Sequence, residues 1–136
     1  MIKAMILAAA ALTMGTAADA QTMIQKNDIK VENHLMTPEA LWAMGRIGGA
    51  EASPNGKQVV YQVGYYSVKE NKGHQMLFIM DANGKNKKAL TTDAKSETDA
   101  AWIQGGQKIA FIRDGQLWNM NPDGTGRKQL TNDKLG

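Results

Sequence analysis

The longest ordered pattern in the chain is a series of short β-type segments separated by turn residues. Gln58-Val59-Val60-Tyr61 follows the turn Ser53-Pro54-Asn55-Gly56-Lys57, and Met76-Leu77-Phe78-Ile79-Met80 is apolar without alternation, as in a strand covered on both faces. Lys108-Ile109-Ala110-Phe111-Ile112 follows Gly105-Gly106, and Gln116 to Met120 follows Arg113-Asp114-Gly115. The Asp-Gly pair there tolerates the positive φ angles of a two-residue hairpin turn. Asn121-Pro122-Asp123-Gly124-Thr125-Gly126 is a further turn, and Arg127 to Thr131 reads as an outermost strand.

These segments repeat. Ala52 to Tyr61 aligns with Trp102 to Phe111 at an offset of 50, and Leu77 to Gly84 aligns with Leu117 to Gly124 at an offset of 40. Leu90-Thr91 and Leu130-Thr131 close the two units at that second offset. The first unit therefore carries about ten extra residues between its second and third strands, in the polar stretch Gly64 to Gln75. A period of 40 to 50 residues with four strands per unit is the signature of a propeller blade. The expected fold class is all-β: two four-stranded antiparallel blades of an incomplete β-propeller, blade one over about 50–91 and blade two over about 99–131. A small eight-stranded antiparallel sandwich is the alternative, and the matching turn chemistry of the two units argues against it.

Upstream, helical signals stand in a row. Thr37 is placed to cap a helix, Pro38 fits its first position, Glu39 faces the positive end of the dipole, and Gly45 is suited to end it in the left-handed conformation. A helix over 37–44 is expected, docked through Leu41, Trp42 and Met44, because two turns are not stable alone. Residues 21–35 are mixed and polar, an extended arm. Before them, Lys3, the apolar run Ala4 to Leu12 and Ala18-Asp19-Ala20 form the three parts of a cleavable export signal, with cleavage after Ala20. The apolar run is too short to span a bilayer, which takes about 20 residues. A periplasmic or secreted location is the expectation, with no membrane span after cleavage. The domain expectation is thus a signal peptide at 1–20, an arm at 21–35 and a partial propeller at 36–136.

Composition narrows the chemistry. Among 136 residues there is no cysteine, which removes disulfides, thiolate zinc sites and a thiol nucleophile. The net charge of +3 is mild, and its lysines fall beside turns, so no nucleic-acid partner is expected. Asp81, Asn83, Asp93, Asp114, Asn121 and Asp123 sit at turn positions without the spacing of a calcium loop, so no metal and no other cofactor is expected. His34 and His74 both read as solvated histidines, and no Gly-x-Ser-x-Gly elbow occurs. No catalytic residue is assigned.

The turn Ser53-Pro54-Asn55-Gly56-Lys57 followed by Val59-Val60-Tyr61 resembles the blade repeat of TolB-like propellers and of the propellers of the prolyl oligopeptidase family. Asn55 stands where that repeat more often has Asp. The lead-in from Leu35 to Trp42, with Gly45-Arg46-Ile47 and Ser53-Pro54, resembles the start of exported bacterial dipeptidyl peptidases of that family. The resemblance implies a propeller that gates access to a C-terminal α/β-hydrolase domain with a Ser, Asp, His triad. It also implies peptide substrates that bind through that missing domain, and further blades as partners of these two. The segment in hand is then the non-catalytic N-terminal part of a serine peptidase that releases dipeptides or short peptides. The alternative is a TolB-like envelope propeller acting as a protein-binding module.

Overall fold

The computed structural model describes residues 23–26 and 31–134. The expected export signal at 1–20 lies outside them. After a single 3₁₀ turn at Glu32–His34 comes helix α1, Pro38–Ala43. Eight strands follow: β1 Arg46–Ala52, β2 Gln58–Ser67, β3 Lys72–Asp81, β4 Lys88–Ala89, β5 Glu97–Ile103, β6 Lys108–Arg113, β7 Gln116–Met120 and β8 Lys128–Gln129. They form two antiparallel four-stranded sheets, each a meander in chain order, β1 to β4 and β5 to β8. These are the two expected blades. Each begins a few residues earlier than the sequence suggests, and each outermost strand has only two residues.

The turns explain the boundaries. Asn55 Oδ1 accepts from the Lys57 backbone N–H at 3.0 Å and from the Ser53 hydroxyl at 2.7 Å, while Gly56 takes a φ of 69°. Asp114 and Gly115 both have positive φ, 52° and 70°, as a primed hairpin turn requires. The ten extra residues of blade one lengthen the β2–β3 hairpin: its pairing runs unbroken from Gln58↔Asp81 to Ser67↔Lys72.

The core lies between the blades. Val60, Leu77, Ile79 and Leu90 of blade one meet Ile109, Phe111 and Met120 of blade two, with Ala100, Trp102 and Trp118 packed at the margin. Strand β5 runs against β1, β2 and β3. Burying each large side chain in that layer contributes about 1.5–3 kcal/mol. Polar ties flank it: Trp102 Nε1 donates to the Glu51 carbonyl at 3.1 Å, and the Asp99 backbone N–H donates to Gln62 Oε1 at 3.1 Å.

Three expectations for the lead-in need correction. Gly45 does not end α1 in the left-handed conformation; Met44 leaves the helix in an extended one, with φ −67° and ψ 132°. Gly45 is needed for close approach instead, since a Cβ there would stand 2.8 Å from Val63 Cγ1 and from Tyr65 Cε1. Nor does the helix dock through Leu41, Trp42 and Met44, all of which are exposed; Ala40 is its buried residue. A small side chain lets the helix lie close to β2. Trp42 packs on the outer surface, with its ring 5.1 Å from that of Tyr66 and the Arg46 guanidinium 4.9 Å above it. Third, His74 is not a solvated loop residue. It lies within β3 and is 2% exposed. The N-cap is as expected, with the Ala40 backbone N–H donating to Thr37 Oγ1 at 3.1 Å.

Candidate functional site

The most elaborate polar arrangement among the described residues sits in the seam between the blades. It begins with the Leu-Thr pair that closes each repeat. In blade one the Leu90 N–H donates to the Leu77 carbonyl, and the Leu77 N–H donates to Thr91 Oγ1 at 2.9 Å. Blade two repeats this: the Leu130 N–H donates to the Leu117 carbonyl, and the Leu117 N–H donates to Thr131 Oγ1 at 3.0 Å. The threonine hydroxyl thus takes over the ladder where the two-residue outer strand ends, and its own proton is free to tie something else.

In blade one that proton goes to the next blade. Thr91 Oγ1 donates to Glu97 Oε2 at 2.8 Å. Glu97 opens β5 and is fully buried. Its Oε1 accepts from Arg113 Nη1 at 2.8 Å and from Arg127 Nη1, and its Oε2 also accepts from Arg127 Nη2 at 3.2 Å. Arg127 reaches on to the Leu90 carbonyl and lies 5.2 Å above the Phe111 ring; Arg113 lies 5.9 Å above the Trp118 ring and binds Asp93 at 2.7 Å through Nη2. One carboxylate therefore gathers two guanidiniums and a hydroxyl from both blades. Burying a lone carboxylate would be prohibitive, so this full set of donors is what makes the position tolerable.

The electrostatics follow. Desolvation pushes the Asp93 carboxyl up, but its hydrogen bond from Arg113, the Lys95 backbone N–H and the charges of Arg113 and Arg127 together hold it below the ordinary range. Desolvation lowers the Arg113 value, and its bonds to Asp93 and Glu97 more than reverse that. Both Glu97 oxygens are taken up by protein donors, so the cluster is a structural clasp rather than an acid or base offered to a substrate.

A second arrangement holds the lead-in. The buried His74 ring lies between two backbone carbonyls, with Nδ1 2.6 Å from the Ile24 oxygen and Nε2 3.1 Å from the Lys95 oxygen. Carbonyls only accept, so the imidazolium is the form that donates to both. Beside it a cleft of about 350 Å³ is lined by Lys26, Val31, Ala40, Met44, Val63 and Tyr65. His34 is exposed in the 3₁₀ turn. The structure does not bring the two histidines to a serine: both His74 nitrogens face carbonyl oxygens, and the Ser53 hydroxyl is engaged with Asn55 and the Gln58 N–H. The turn carboxylates and amides behave as local backbone partners. Asn83 Oδ1 accepts from Lys85 N–H, Asp93 Oδ1 from Lys95 N–H and Asp123 Oδ1 from Thr125 N–H, at 2.9 to 3.0 Å.

Sequence reasoning missed Glu97, Arg113, Arg127 and the reach of Thr91. The one signal for them was the repeated Leu-Thr, which marks where a hydroxyl enters the ladder but not what it binds. At the same offsets that relate the blades, Ile47, Val63 and Lys87 stand in blade one where Glu97, Arg113 and Arg127 stand in blade two. The clasp is therefore not part of the repeat, and no pattern search could have found it.

No family model matches the chain. Two curated relatives do. Over 104 residues, covering 74% of the chain, it is 41% identical to a protein named dipeptidyl-peptidase 5 from Porphyromonas endodontalis. Over 77 residues it is 36% identical to the protein of that name from Porphyromonas gingivalis. The chain spans only 15% of the first relative's length and 11% of the second's. Among solved structures, an acylaminoacyl peptidase from Pyrococcus horikoshii matches 71% of the chain with a TM-score of 0.58 and 17% identity, across 15% of its own length; that likeness is one of fold. The sequence match to the dipeptidyl peptidases, with the blade architecture, places the chain among the dipeptidyl-peptidase-like members of the prolyl oligopeptidase family, of which it matches a segment.

Proposed function

We propose that these residues are the non-catalytic, substrate-gating portion of an exported serine peptidase that releases dipeptides or short peptides. The observation that carries the proposal is the 41% identity to a dipeptidyl-peptidase 5 over 104 residues. The buried polar groups described above support it from the other side. Glu97, Arg113 and His74 are consumed in holding blades and lead-in together, which suits a scaffold whose chemistry is carried by another domain. In this proposal residues 1–20 direct export to the periplasm or beyond, and the nucleophile, its base and the peptide-binding groups lie in a hydrolase domain that these residues do not include.

A serine-directed fluorophosphonate probe tests it. The polypeptide extended to the length of its relatives should take the label at one serine and release dipeptides from a peptide substrate, and the 136-residue chain should do neither. Specific labelling of a serine within the 136 residues would overturn the assignment of a non-catalytic role. An extended protein that takes no label and cleaves no peptide would overturn the peptidase reading in favour of a binding module.

A further inference from the structure

The two blades share a repeat but not a burial pattern, and the difference identifies a docking face. Blade two turns Ile109, Phe111 and Met120 toward blade one, and all three are fully buried. Their repeat counterparts in blade one are Val59, Tyr61 and Met80, on the face that points away from blade two, and all three are partly exposed there. Tyr61 stacks on Phe78, the counterpart of Trp118, with ring centroids 5.5 Å apart. Conversely, Val60, Leu77 and Leu90 are buried under blade two, while their counterparts Ala110, Leu117 and Leu130 on the far side of blade two are not. Each blade thus carries one face of each kind, and the one seam on the page joins the second kind to the first.

The lead-in covers only one end of the outer face of blade one. Val63, His74 and Met76 are buried there, beside Gly45 and the Ile24 carbonyl. Val59, Tyr61, Phe78 and Met80 lie toward the other end, outside that cover. From this we infer that the Val59–Tyr61–Phe78–Met80 face is an interface for a further four-stranded sheet of the same repeat, carried by the same polypeptide beyond Gly136, which presents an aliphatic face like that of Val60, Leu77, Ile79 and Leu90. The inference rests on the reading that these residues are part of a longer peptidase; the small share of its relatives that the chain spans leaves length for such a sheet. This seam differs from the one between blades one and two. Ile47, 74% exposed, stands where Glu97 stands, and Val63 and Lys87 replace the two arginines, so the seam is apolar and has no buried carboxylate clasp.

The absence of cysteine allows a direct test with single introduced thiols. Tyr61→Cys and, as a second reporter, Val59→Cys are labelled with a thiol reagent in the 136-residue chain and in the polypeptide extended to its relatives' length, with Ile109→Cys as the buried control. The expected result is rapid labelling of both reporters in the 136-residue chain. In the extended protein, where reaction waits on local opening, it should be slower by on the order of a hundredfold. Equal rates in the two proteins overturn the inference. Slow labelling in the 136-residue chain also overturns it: concentration dependence would identify a second copy as the occupant, and concentration independence would identify residues of the same chain. An extended protein that takes the fluorophosphonate label yet leaves Tyr61→Cys reactive sinks this inference alone. Shielding without that label sinks the peptidase reading alone.

Discussion

The Thr91 hydroxyl of blade one donates to the Glu97 carboxylate of blade two across 2.8 Å, and that bond joins the end of one repeat to the start of the next. Glu97 is held from the other side by Arg113 and Arg127, so the seam carries a charged tie as well as an apolar layer.

Replacing Glu97 should therefore be among the most damaging single changes. Glu97→Ala leaves two guanidiniums without their buried partner, a loss of about 3–5 kcal/mol for a broken buried pair. Thr91→Val removes one hydrogen bond and leaves the Leu77 N–H unsatisfied, costing about 1–3 kcal/mol. Urea unfolding of the two single variants and the double variant should show a loss for the pair smaller than the sum, because the two residues share one network. Additive losses would mean that the hydroxyl and the carboxylate act independently.

Asp93 predicts a specific acid response. Its folded carboxyl titrates below its unfolded value because the Arg113 contact and its other favourable partners outweigh desolvation. A depressed carboxyl contributes stability that is complete above the unfolded value of about 3.9 and is lost as pH falls through the lower folded value. The Asp93 side chain is half exposed, so solvent screening keeps this contribution under about 1 kcal/mol. Asp93→Asn should lower stability slightly at pH 7 and reduce the decline between about pH 4 and 2. An unchanged acid limb in thermal melts of the variant would show that Arg113 is held by Glu97 alone.

Gly45 separates packing from helix termination. Gly45→Ala should leave the α1 backbone intact, since φ is not positive there, yet force apart α1 and the Val63–Tyr65 surface. Overpacking of this kind costs about 1–3 kcal/mol. The change should be visible in Trp42 fluorescence, as the ring shifts against Tyr66, with little effect on the melting of blade two. A variant with wild-type fluorescence and stability would mean that the helix simply tilts away without cost.

Much of this was legible in the sequence because repeats and turns are local. Asn55-Gly56 and Asp114-Gly115 fix their own geometry, and the offsets of 50 and 40 gave both four-stranded units before any strand was seen. Partner choice was not legible. His74 follows Lys72-Gly73 in a polar run, and only the unbroken β2–β3 pairing reveals that the run is strand and carries the ring inward. Trp42 and Leu41 look like docking residues by hydrophobicity, but Ala40 docks because the approach to Val63 and Tyr65 is too close for anything large. Glu97 is one carboxylate among several beside turns, and its burial depends on Arg127, thirty residues away, arriving at the same seam.

His74 provides the last test, because it joins three parts of the chain. Its ring contacts the Ile24 carbonyl of the arm and the Lys95 carbonyl of the link between blades, from a position within β3. His74→Leu keeps an apolar filler of similar bulk in a buried site but can donate to neither oxygen. Two carbonyls then lose a charge-capable partner, at about 1–3 kcal/mol for each one left buried. The Ile24 carbonyl has an alternative, which is to swing out with the arm into water; the Lys95 carbonyl is held by its loop on both sides. The arm should therefore release first, and trypsin should cut after Lys26 about tenfold faster or more, since 1.4 kcal/mol in the opening equilibrium is a factor of ten. The blades themselves should unfold at nearly the same urea concentration, because the Val60–Phe111 layer is untouched. If the Lys26 cut is no faster in the variant, the arm is held by contacts other than the histidine. If the blades melt together with the arm, His74 is a core residue of blade one and not a fastener for the lead-in.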